Sequence, residues 1–141
     1  MPSTLHAQGK APHIVAACAA NAIAGTIQLI SGDLPESVFS SMPYYMDTLW
    51  SALLVLGGVT ALFGIYIKDP ILGLRLEGAG HVGVVGGCLV YAIALVTWIS
   101  VPWWPQLSVW WAVSLSTASA VRWFQIVRTT HKARRQAEGA K

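Results

Sequence analysis

Three ionisable side chains, Arg75, Glu77 and His81, stand together at the head of a long uncharged stretch. Glu77 and His81 are four apart, so a helix sets them on one face, where a carboxylate and an imidazole can pair. Arg122, or Arg128 beyond it, is a cation that can join them from another helix. Such a set supports two kinds of chemistry. One is a proton or ion relay, because ionisable groups at membrane depth are costly and are usually paired. The other is an interfacial ion pair that fixes how deep a helix sits. The second is preferred from sequence, because a helix started by Pro70 rises only about 10 Å before it reaches Glu77. No enzyme is expected: His6, His13, His81 and His131 are scattered, and no phosphate-binding loop or nucleophile with a base at usable spacing occurs. No cofactor or metal is expected either. Cys18 and Cys88 lie within apolar stretches and read as small buried hydrophobes.

The elements that position these residues are membrane helices. The chain has 141 residues, of which 55% are hydrophobic and 11% charged, too little polar content to cover a soluble globule. Its mean hydropathy is +0.56. Val82 to Val101 carries no ionisable side chain except Cys88 and Tyr91. A helix of about 20 residues matches a bilayer core of about 30 Å. Asp69 caps this helix and Pro70 opens it, since proline lacks only an N–H that would have no intrahelical partner there. Pro102-Trp103-Trp104-Pro105 ends it, with two tryptophans at the far interface.

The fold class expected is all-α, an integral membrane bundle of four transmembrane helices, about 14–30, 48–67, 79–101 and 107–127. A leader, 1–13, precedes it and a basic tail, 128–141, follows. The first span is alanine-rich and carries Asn21, Thr26 and Gln28. Two processing alternatives compete for it: Ala22-Ile23-Ala24 resembles a signal-peptidase site, and Val15-Ala16-Ala17-Cys18 a lipoprotein cleavage box. If this segment is cleaved or not inserted, three spans remain. The loop from Ser31 to Met46 is punctuated by Gly32, Pro35 and Pro43 and places Tyr44 and Tyr45 at an interface.

Small residues mark the faces along which these helices pack. Gly57 and Ala61 with Gly64, Gly83 with Gly87, and Ala112, Ser116 and Ala120 recur at three- or four-residue spacing. Ala17, Asn21 and Gly25 make a similar face on the first span. Gly83 and Gly87 serve equally for packing within one chain or between copies.

Charge sets the orientation. With four spans, all nine lysines and arginines fall on one side, while Asp33, Glu36 and Asp47 lie on the other. The positive-inside rule then puts both termini in the cytoplasm of a bacterial cell, in its cytoplasmic membrane. The tail carries Arg128, Lys132, Arg134, Arg135 and Lys141 against Glu138. It suits anionic lipid, and without interleaved aromatics it does not suit nucleic acid. Trp98, Trp103, Trp104, Trp110 and Trp111 read as interfacial belt residues.

The run from Leu49 to Val96, LWSALLVLGGVTALFGIYIKDPILGLRLEGAGHVGVVGGCLVYAIALV, resembles small polytopic membrane proteins of actinobacterial bacteriophages. These share a glycine-rich span, a charged turn, L-x-L-E and a second span. Some are described as holin-like, and this chain matches holins in its size and charged tail; its four spans depart from their one to three. The resemblance implies a homo-oligomer that permeabilises the membrane through the Gly83/Gly87 and Ala112/Ser116/Ala120 faces, with Asn21, Gln28, Ser114, Thr117 or Ser119 toward water. Two alternatives stand beside it. One is a small transporter or channel that uses Glu77. The other is an accessory protein that binds a membrane or phage protein, for superinfection exclusion or anchoring.

The orientation is testable. A cysteine introduced as Ser40→Cys should react with a membrane-impermeant thiol reagent in intact cells, and one introduced as Ala137→Cys should react only after permeabilisation. The reverse pattern refutes the assignment.

Overall fold

The computed structural model describes residues 12–31, 44–98 and 107–139, and all of these but a short turn are helical. Four helices follow in order: α1, Pro12–Ser31; α2, Tyr44–Tyr66; α3, Pro70–Trp98; and α4, Leu107–Gly139. The acidic loop, the Pro102–Pro105 turn and most of the leader lie outside the described residues. Among those described, Pro12–Ser31, Thr48–Tyr66 and Pro70–Ala94 are long and apolar enough to cross a membrane. The helix α4 is long enough but falls short in apolarity, because Ser114, Ser116, Thr117, Ser119 and Arg122 dilute it. It also continues without a break through the basic residues from Arg128 onward, so the tail is helical as far as Gly139.

The start of α3 follows from its first residues. Asp69 Oδ1 accepts from the Ile71 and Leu72 amides at 2.8 and 3.2 Å, and Gly73 N–H reaches the Asp69 carbonyl at 2.8 Å. The turn 67–69 sends α3 back along α2.

Neighbours in sequence are neighbours in space: α1 packs on α2, α2 on α3, and α3 on α4, each pair antiparallel. The closest approach is between α2 and α3. A Cβ added at Gly57 would stand 2.7 Å from the Val84 amide nitrogen, and one added at Gly83 3.0 Å from the Gly57 Cα. A Cβ at Gly80 would collide with the Ala61 backbone, and one at Gly64 with the Glu77 amide nitrogen. These contacts need glycine for want of space, not for an unusual backbone angle. Ala61 and Ile65 beside them are fully buried.

The pair α1 and α2 uses the same device. Gly58 abuts the Cys18 carbonyl and Gly25 the Ser51 carbonyl. The buried face of α1 is therefore Cys18, Ala22 and Gly25, one residue round from the expected Ala17, Asn21 and Gly25. Asn21 instead donates to its own helix at the Ala17 carbonyl, 2.9 Å away.

The α3–α4 contact is built from larger groups. Ala112 sits with Trp50, Leu54, Val84 and Cys88 in a buried cluster, and Trp50 stacks on Tyr91 with ring centroids 4.5 Å apart. The buried positions of α4 are Val109, Ala112, Ser119, Arg122 and Ile126, whereas Ser116 and Ala120 are half-buried. Large side chains elsewhere, among them Leu56, Phe63, Ile71, Leu89 and Ile93, point outward and are exposed. So broad an apolar exterior fits a lipid environment and not water.

Two glycine classes on α3 give a contrast that can be measured. Gly80→Ala should destabilise the protein by about 1–3 kcal/mol, as overpacking does. Gly86→Ala, whose Cβ would meet, among the described residues, only Leu53 Cδ1 at 3.8 Å, should be neutral or stabilise by about 0.5–1 kcal/mol through better helix propensity. Unfolding in detergent reads both, and equal effects would refute the packing.

Candidate functional site

The side of α3 that faces inward repeats at helical spacing as Glu77, His81, Val84 and Cys88, all buried. Facing it, α4 presents Ser119 and Arg122, buried as well. Arg122 Nε donates to Glu77 Oε1 at 2.7 Å, and the two side chains are 7% and 0% exposed. This is a charge-assisted hydrogen bond between helices, closed off from the exterior. His81 Nε2 stands 4.0 Å from the same carboxylate oxygen, too far for a hydrogen bond. Among the described residues, both ring nitrogens of His81 and the second oxygen of Glu77 have no hydrogen-bond partner. Buried polar atoms left in this state cost about 1–3 kcal/mol each.

The cluster is reached from one side. A crevice of about 360 Å³ separates α1 from α4, with α3 as its floor. His81 and Arg122 line it, as do His13, Asn21 and Gln125, and Cys18 and Leu115 form apolar wall. Among the described residues no group of three or more histidine, cysteine or acidic side chains is placed to hold a metal ion.

Two of the expected placements need correction. Glu77, expected to mark the interface within reach of water, is instead fully buried. Its distance from the helix start was read as depth, but what removes it from the surface is direction: it points between α3 and α4. Arg75, expected in the same cluster, is exposed and lines a separate groove beside Trp123 and His131. Two residues along a helix is about 200° of rotation, so Arg75 and Glu77 cannot share a face. The structure brings together Glu77, His81 and Arg122 and leaves Arg75 out.

Gly57, Ala61, Gly83 and Gly87 all lie where α2 meets α3. Gly73 and Gly80 complete that seam, and they were missed. Gly73, Gly80 and Gly87 are spaced by seven, the repeat of one face of paired helices, and that pattern was available to find them.

Because the pair is buried, removing one partner strands a charge. Glu77→Gln or Arg122→Gln alone should cost about 3–5 kcal/mol, and the double substitution should cost less than the sum of the two. A double-mutant cycle of unfolding in detergent checks this, and additive losses would show no coupling.

Comparison with protein-family models, with curated proteins and with solved structures finds no match to this chain.

Proposed function

We propose that the chain is a four-span integral membrane protein of a bacterial cytoplasmic membrane, with both termini in the cytoplasm, and that it works as a small transporter or channel coupled through Glu77. The observation that carries this reading is the buried carboxylate, with one oxygen on Arg122, the other without a partner among the described residues, and His81 beside it. Three helices have the length and apolarity of spans. The fourth gains support from the same pair, since an Arg122 matched by Glu77 does not enter the bilayer as a lone cation.

The pair also supplies a mechanism. A proton that enters through the crevice meets His81 first, and it neutralises Glu77 only once the imidazole closes the 4.0 Å gap to the carboxylate. The neutral carboxylic acid then holds Arg122 far less strongly, and α4 is freed to shift against α3. Loss of the proton restores the pair. Ionisable side chains inside membrane bundles act as such relays because each charge state favours a different packing.

The lesion-forming reading is supported less well. It relied on the Gly83/Gly87 and Ala112/Ser116/Ala120 faces for association between copies; Gly83 and Gly87 are occupied within the chain by α2, and Ala112 is buried in the cluster with Trp50, while Ser116 and Ala120 stay half-buried.

Proteoliposomes with an entrapped pH indicator test the proposal. The wild-type protein should dissipate an imposed pH gradient, and the Glu77→Gln, Arg122→Gln double variant, which keeps the bundle uncharged at this point, should not. Equal proton flux in both would refute a coupling role for Glu77. Release of an entrapped dye by both would establish lesion formation instead.

A further inference from the structure

Arg75 has no place in the buried cluster, and its surroundings have a character of their own. It lies on the outer side of α3, only about 8 Å of rise from Pro70, and opens onto a groove of about 310 Å³ between α3 and α4. The groove is deep at this point because Gly78 has no side chain. A Cβ there would already reach Ile126 Cγ2 at 3.6 Å and Trp123 Cδ1 at 3.7 Å.

Leu74 and Ile126 form the buried floor, and the half-open indole of Trp123 forms a wall. Arg75 and His131, both exposed, stand at the rim with Thr130. The Thr130 hydroxyl is held by the Ile126 carbonyl at 2.8 Å. Among the described residues no acidic side chain lines the groove. Arg128 and Lys132 are exposed on the same stretch of α4.

The apolar outer surface of these helices continues from this groove, with Ile71 and Leu72 exposed nearby. A guanidinium at the edge of such a surface is well placed to pair with an anion that sits at the same depth. A phosphate does this, accepting two parallel N–H bonds from the planar fork of an arginine. A free phosphate would leave the apolar floor bare, whereas a phospholipid covers floor and rim together. We propose that this groove is a binding site for one anionic phospholipid, its phosphate on Arg75 and His131 and its glycerol and first acyl carbons over Gly78, against Trp123. The site is separate from the Glu77 cluster and stands or falls independently of any transport activity.

Tryptophan quenching by brominated lipids tests it on the full-length protein in detergent. Brominated phosphatidylglycerol should quench more strongly than brominated phosphatidylcholine. Trp123→Phe should remove the excess quenching. Arg75→Gln with His131→Gln should weaken the apparent affinity for phosphatidylglycerol at least about fivefold, the change expected from losing one headgroup contact. Arg75→Lys should retain part of it, and both exposed substitutions should leave the unfolding midpoint in place.

Three results would overturn the proposal. Equal quenching by the two lipids removes the anionic preference. A preference that survives Arg75→Gln with His131→Gln but disappears in Lys132→Gln with Arg135→Gln assigns it to diffuse attraction by the end of α4. Displacement of the lipid by millimolar inorganic phosphate makes the rim an anion site and not a lipid site.

Discussion

The bundle is arranged around one hydrogen bond, from Arg122 Nε to Glu77 Oε1. A carboxylate and a guanidinium taken from water into an apolar interior lose several kcal/mol of hydration each, and only close, well-directed contact offsets this. The 2.7 Å geometry requires α3 and α4 to be held in a fixed register. That register is in turn held from behind, where the Glu77 backbone lies flush against Gly64 of α2. A side chain at position 64 would push the carboxylate out of line with Arg122. Helix packing and ionic pairing are therefore a single constraint, and Gly64 belongs to the site although it carries no chemical group.

Much of the architecture was legible in the chain. Apolar length marks α1 to α3, and Asp69-Pro70 marks where α3 begins, because a capping carboxylate followed by a residue without an N–H has few other uses. The small residues of α2 were legible for a similar reason, since Gly57, Ala61 and Gly64 line one helical stripe. The site was less so. Glu77 was placed by counting rise along a helix, which gives height but not direction. Direction was recoverable from Gly73, Gly80 and Gly87, whose seven-residue repeat identifies the face of α3 that meets a partner and puts Glu77 on the same side.

What no local pattern reveals is the partner from a distant helix. Arg122 lies 45 positions from Glu77, and the sequence offers Arg128 just as readily. The choice between them depends on the register of α4, set by Ala112 entering the cluster of Trp50, Leu54, Val84 and Cys88. Trp50 is instructive in the same way. An indole near the start of a span is expected at an interface, yet this one is buried and stacked on Tyr91, because α3 brings a second ring to meet it.

The crevice has α1 and α4 as its walls and α3, one arm of the α2–α3 hairpin, as its floor. That hairpin can close over its glycines without either wall, but Glu77 then faces an empty slot until Arg122 arrives. Docking of α4 is therefore the step that takes the carboxylate out of its surroundings and pairs it, and the hairpin alone carries an acid with no partner for it.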